Sequence, residues 1–225
     1  LWENTDVGEG VLHGSWTNPA YAEIDGQAQI IVPGGNGIIY ALNAETGEEI
    51  WRFDCNPKDA EWALGGRGTR NNILSTPVVY DDRVYIAGAT GMIFCLDAAT
   101  GKVLWQKDSV ADYDTNIPVW GTSSAALIED NLAIFLLGGE PDALVVAFDK
   151  HTGAEVWRAL ESKTEMGYAQ PLVIDAGGAR QLIVWHPRGL TSLNPTTGTL
   201  YWEEPFDGRA NMTVADAVQS GSYLL

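Results

Sequence analysis

Cysteine is scarce in this chain: Cys55 and Cys95 are the two among 225 residues, and no Cys-x-x-Cys pair occurs. Histidine is nearly as rare, with His13, His151 and His186 far apart and no His-x-x-x-His spacing. These absences leave the usual zinc constellations without ligands. A Gly-x-Ser-x-Gly nucleophile elbow and a phosphate-binding loop are missing as well, which removes sequence support for a hydrolytic triad or a nucleotide site. Basic residues are few: 13 Lys and Arg stand against 30 Asp and Glu, a net charge of −17. That balance opposes binding to nucleic acid or to an anionic membrane surface. No apolar run reaches the roughly 20 residues of a membrane-spanning helix, and no extended 3.6-residue periodicity is present. Asp112, Asp114 and Asn116 imitate the opening of a calcium loop, but Ile117 replaces the turn glycine and Ser123 the closing glutamate. They read as solvated or turn-capping acids.

What is abundant is tryptophan, with 9 copies, together with 25 Gly and 10 Pro in a chain that is 45% apolar. Four times an Asn or Asp is followed after four residues by Gly and after four more by Trp: Asn43/Gly47/Trp51, Asp97/Gly101/Trp105, Asp149/Gly153/Trp157 and Asn194/Gly198/Trp202. Leu1-Trp2-Glu3 matches the end of the pattern, so Trp2 is a fifth copy. Successive tryptophans lie 49, 54, 52 and 45 residues apart, a period suited to a four-stranded blade. Each copy predicts a hairpin: an apolar, β-prone run meets an Asx residue that starts a turn, and Gly completes the reversal in a conformation a Cβ disfavours. The following indole is expected to cover apolar surface between neighbouring sheets. Cys95 falls where the other copies have Ala41, Ala147 and Ser192, and is read as a small core residue. A Cys55–Cys95 disulfide is the lesser alternative.

This reading gives blade units at approximately 17–54, 73–108, 122–160 and 168–205, with partial blade strands at 1–5 and 212–225. Thr213 to Val218 and Ser222 to Leu225 are expected to be the opening strands of a further blade. The expected architecture is all-β: a propeller of four-stranded antiparallel blades, about four complete and part of another, as an incomplete segment of a six- to eight-bladed propeller.

The phrases Ala41-Leu42-Asn43-Ala44-Glu45-Thr46-Gly47-Glu48-Glu49-Ile50-Trp51 and Cys95-Leu96-Asp97-Ala98-Ala99-Thr100-Gly101-Lys102-Val103-Leu104-Trp105 resemble the tryptophan-docking motif of PQQ-like, quinoprotein-type β-propellers. The resemblance covers nearly the whole chain. It implies a periplasmic or extracellular location and one of two roles. The first is a binding and scaffold module for a small ligand, peptide or protein partner. The alternative is part of a PQQ-dependent alcohol or sugar dehydrogenase that binds PQQ and calcium in the funnel. The vicinal cysteine pair of those dehydrogenases is absent, and no position here matches a catalytic motif of the family.

In such a propeller the loops leading into each inner strand crowd one face. The candidate ligand contacts are therefore Trp16 and Asn18; Arg70, Asn71 and Asn72; Trp120, Thr122 and Ser123; Tyr168 and Gln170; and Arg209 and Asn211. His13 joins them, as do Trp62 and Arg67 in the long loop from Asn56 to Leu74. Trp16 and Trp120 stand off the docking register and read as ligand platforms or loop anchors. Arg70 is the leading candidate for an anion contact. Turn capping by the Asn, Thr and Ser residues is the alternative for each. His151 is expected to be solvated in its turn, and His186 is placed at a strand end outside the funnel group.

Overall fold

The computed structural model describes residues 1–11, 14–61, 72–161, 166–205, 213–221 and 223–224. Its strands form four-stranded antiparallel meanders. The first sheet runs β1 (Ala20–Ile24), β2 (Gln27–Pro33), β3 (Ile38–Asn43) and β4 (Glu49–Asp54). The second runs β5 (Val78–Tyr80), β6 (Arg83–Ala87), β7 (Met92–Asp97) and β8 (Val103–Asp108), followed by a short helix, α1 (Ser109–Tyr113). The third contains β9 (Leu127–Glu129), β10 (Leu132–Gly139), β11 (Ala143–Asp149) and β12 (Glu155–Ala159). The fourth contains β13 (Leu172–Ala176), β14 (Ala179–His186), β15 (Gly189–Leu193) and β16 (Leu200–Pro205), and a short hairpin of β17 (Gln219–Ser220) and β18 (Tyr223–Leu224) follows. The sheets are the blades that the repeat predicts.

The chain divides into two compact units. One comprises Leu1–Asp112 with Val119–Ala126, the other Tyr113–Pro118 with Leu127–Leu225. In the first unit Ile31, Ile39, Ala41 and Trp51 pack with Val84, Ile86, Phe94 and Leu96 of the second sheet. In the second unit Leu132, Ile134, Val145, Ala147 and Trp157 pack with Leu182, Val184 and Leu193. Apart from Trp51 and Trp157 of the outer strands, these residues come from the two middle strands of each sheet, whose sequences are nearly continuous apolar runs.

The turns follow from the Asx residue. Asn43 Oδ1 accepts the N–H groups of Glu45 and Thr46 at 2.8 and 3.0 Å, and Gly47 N–H returns to Asn43 O at 2.8 Å. Asp97, Asp149 and Asn194 accept equivalent bonds. Just beyond, the register shifts in every sheet. The docking tryptophans pair with Ala41, Cys95, Ala147 and Ser192, and the residue before each tryptophan is the bulged one.

Three docking indoles reach the turn of the next repeat. Trp51 Nε1 donates to Ala98 O at 2.8 Å, Trp157 Nε1 to Pro195 O at 3.1 Å and Trp2 Nε1 to Ala44 O at 2.9 Å. The rings press on the turn glycines. A Cβ on Gly101 would stand 2.6 Å from Trp51 Cε3, and one on Gly198 the same distance from Trp157 Cε3. Glycine is thus required twice over, by its φ of about 70° and by the indole above it. Trp202 differs: it is 37% exposed and its Nε1 donates to Gln181 Oε1 of its own sheet.

Two expectations are corrected: residues 1–5, expected as a partial blade strand, form no strand. Thr213 to Val218 is not a strand either; the described pairing there is of Gln219–Ser220 with Tyr223–Leu224. The preceding segment is committed to other partners, since Thr213 O accepts Tyr168 N–H, Thr213 Oγ1 donates to Trp185 O, and Asp216 Oδ1 accepts Gln170 N–H. Helix α1 was not expected. Asp108 Oδ1 caps it by accepting Val110 and Ala111 N–H, and Asp112 Oδ2 accepts Asp108 N–H. Two of the acids near the calcium-like stretch therefore serve as caps.

Candidate functional site

The approach segments to the inner strands sit against the turns joining the second and third strands of a sheet. In the first unit Ile73 N–H donates to Gly34 O at 3.3 Å and Thr122 N–H to Ala89 O at 3.2 Å. The two kinds of loop therefore share one end of the sheets.

Trp16 is placed by crowding around Gly14. A Cβ on Gly14 would meet Trp16 Nε1 at 2.9 Å, and one on Gly35 would meet Gly14 O at 2.7 Å. Asn72, buried, donates from Nδ2 to the same Gly14 O at 3.1 Å. Asn72 thus clamps the segment that carries Trp16, whose ring remains 71% exposed. Trp120 is set by Gly121, which has φ 84° and packs so close to Ala89 that a Cβ would stand 2.6 Å away. Its ring is 54% exposed, whereas Trp51, Trp105 and Trp157 are each 7% exposed. Asn18 is exposed, Thr122 is buried and Ser123 is half-buried. The hydroxyls of Thr17, Thr122 and Ser123 are buried without a hydrogen-bond partner among the described residues, a role ordinarily filled by an internal water.

In the second unit Tyr168 and Gln170 are half-buried, tied through their backbone N–H groups to Thr213 O and Asp216 Oδ1, both at 2.7 Å. Of the candidates, Trp16, Asn18, Asn72, Trp120, Thr122 and Ser123 belong to the first unit and Tyr168 and Gln170 to the second. Arg70, Asn71, Arg209 and Asn211, with His13, Trp62 and Arg67, lie outside the described residues.

Sequence reasoning missed the turns between second and third strands. His186, expected at a strand end apart from the funnel loops, belongs to the loop end of its unit: a Cβ on Gly167 would lie 3.3 Å from Pro187 Cδ. It is buried, with Nε2 2.9 Å from Thr191 Oγ1, and burial holds its pKa below the ordinary histidine value. The available signal was register, because His186 stands where the first two sheets have Gly34 and Gly88.

Among the described residues no group of three His, Cys, Asp or Glu converges on a metal position. Cys55 and Cys95 are buried singly as free thiols, and burial pushes the Cys55 thiol far up. Among the described residues no helix is long and apolar enough to cross a membrane.

A family model described as outer membrane protein assembly factor BamB, built on the PQQ-type repeat, matches residues 35–221. The quinoprotein alcohol dehydrogenase PedH of Pseudomonas putida is 26% identical over 216 residues, covering 87% of this chain and 33% of its own length. The outer membrane protein assembly factor BamB of Kangiella koreensis is 28% identical over 132 residues, covering 57% of this chain and 29% of its own. This chain thus spans a third or less of either relative. Among solved structures, the quinohemoprotein alcohol dehydrogenase of Comamonas testosteroni superposes with a TM-score of 0.66 at 16% identity, over 95% of this chain and 39% of that one. With repeat, sheet topology and family match in agreement, the chain belongs to the PQQ-like β-propeller family.

Proposed function

We propose that this chain is part of an extracytoplasmic binding and scaffold propeller that offers its loop end to a peptide or protein partner. One observation carries the reading. The docking indoles at 7% exposure are used up in packing blades, whereas Trp16 and Trp120 stand off that register, exposed, on segments held from behind by the Gly14–Asn72 hydrogen bond and the Gly121–Ala89 contact. Exposed indoles on a fixed backbone lose little conformational entropy on binding and present large amphipathic faces. The acidic balance, net −17, favours partners that are not themselves strongly anionic.

The similarity to BamB proteins suggests the first probe, an outer-membrane β-barrel protein held unfolded in urea and diluted into the assay. Trp16→Ala and Trp120→Ala should each weaken its binding by about tenfold, while melting temperatures stay near the parent value. Equal binding by both variants would remove the reading.

The PedH similarity, over 87% of this chain, favours a second reading as part of a quinoprotein dehydrogenase. Its test is thermal. PQQ with calcium at about 100 times its dissociation constant would stabilise a specific site by about 2.7 kcal/mol. An unchanged melting temperature would discard it.

A further inference from the structure

Beside the β14–β15 turn lies a cavity of about 190 Å³ lined by Leu160, Glu161, His186, Arg188 and Glu203. At about 30 Å³ per water molecule it has room for roughly six waters, the scale of a very small organic molecule. The repeat itself supplies a control for this place. Ile31↔Ala41, Tyr85↔Cys95 and Ile183↔Ser192 are equivalent cross-strand pairs, so His186 takes the position of Gly34 and Gly88. The turn here is also one residue shorter than in those sheets, since Trp185 pairs with Leu190 where Pro33 pairs with Ile39 and Ala87 with Ile93. An imidazole and an arginine thus enter a position that two sister sheets leave to glycine-rich turns.

Leu160, on the cavity wall, has φ 69°, and it is the one residue other than Gly and Asp with positive φ among the described residues. A branched side chain in the left-handed region is strained, and such strain is held in place only by its surroundings. Here Leu160 O accepts Leu144 N–H at 3.0 Å.

The lining groups have definite roles. His186 is fixed through Nε2 to Thr191 Oγ1, and its other ring nitrogen makes no hydrogen bond among the described residues. Burial keeps the ring neutral near pH 7, with Glu203 opposing that effect and Arg188 reinforcing it. Arg188 and Glu203 are both exposed, and neither side chain forms an ion pair with a described residue. Glu161 adds a second carboxylate to the wall. A lone anion would meet two carboxylates, and a lone cation would meet the guanidinium. A molecule carrying both charged groups on one carbon satisfies both sides.

We propose that this cavity binds a small zwitterion of the amino-acid class, its carboxylate on Arg188, its ammonium on Glu203, and the His186 ring as a hydrogen-bonding floor. The site uses none of the residues on which the partner-binding reading rests, so each stands or falls alone.

The test is an NMR titration of the full chain with glycine, L-alanine, L-serine and L-valine, following the His186 ring resonances assigned with His186→Gln. Acetate and methylammonium serve as single-charge controls. The expected result is a saturable shift with at least one amino acid and none with either control at the same concentration. Arg188→Gln and Glu203→Gln should each weaken binding by about tenfold or more, with unchanged tryptophan fluorescence showing that the fold is kept. No shift with any of the four amino acids would overturn the proposal. So would acetate or methylammonium acting as well as an amino acid, or both variants binding like the parent.

Discussion

At the residue scale, the small side chains opposite the docking indoles decide how deep each ring can sit. Ala41, Cys95, Ala147 and Ser192 are the cross-strand partners of Trp51, Trp105, Trp157 and Trp202, and all four are fully buried. Cys95 therefore serves by its size. Cys95→Ala should change stability by less than about 1.5 kcal/mol, whereas Cys95→Leu should cost about 1–3 kcal/mol by overpacking against the ring of Trp105. Urea denaturation with a constant m-value measures both, and a neutral Leu variant would contradict the assignment. The column of small residues was readable in the repeat. Its reason was not, because cross-strand partnership follows from a bulge that no single residue announces. The same holds for the turn glycines. Their positive φ was legible, but the indoles pressing on Gly47, Gly101 and Gly198 come from the preceding repeat.

At the element scale, the Asx turns are the most transferable unit of the chain, and they carry a pH signature. Asp149 accepts Thr152 N–H and Oγ1–H, His151 N–H and Asn131 Nδ2–H. The Thr152 N–H first, with the other donors, draws its pKa below the ordinary aspartate value, partly opposed by desolvation. A depressed folded pKa means that the unfolded chain binds the proton first. The stabilisation is thus complete above about pH 4 and is lost as pH falls through the folded value. Asn43 and Asn194 make the same turn with a neutral amide, so Asp149→Asn keeps the geometry and removes the charge. The parent should be the more stable at pH 7, with the difference shrinking steadily below pH 4. A difference independent of pH would show that the charge contributes nothing. Strands and turns were legible because each is set by local chemistry. The loop end was legible only in part. Trp16 and Trp120 could be singled out by being off register, but the turns between second and third strands, His186 among them, join that end through contacts distant in sequence.

At the scale of the molecule, one contact recurs within each unit: the indoles of Trp2, Trp51 and Trp157 press on Gly47, Gly101 and Gly198 of the next turn and donate to the carbonyl just after that turn's Asx residue. Such nearest-neighbour docking makes stability a sum of blade and interface contributions, and it leaves the loops free to vary from blade to blade. Composition and spacing pointed to this architecture because packing must recur at every interface. They could not identify a ligand, because binding groups need appear only once.

The most direct test is a double-mutant cycle between Trp51 and Gly101. Trp51→Ala and Gly101→Val should each be destabilising, the second through the ring 2.6 Å from its new Cβ. Combined, they should cost at least about 1 kcal/mol less than their sum, because removing the indole relieves the clash. The pairing of Trp51→Ala with Gly198→Val should be additive within about 0.5 kcal/mol. Additivity of Trp51 with Gly101 would contradict the docking of each repeat onto the next.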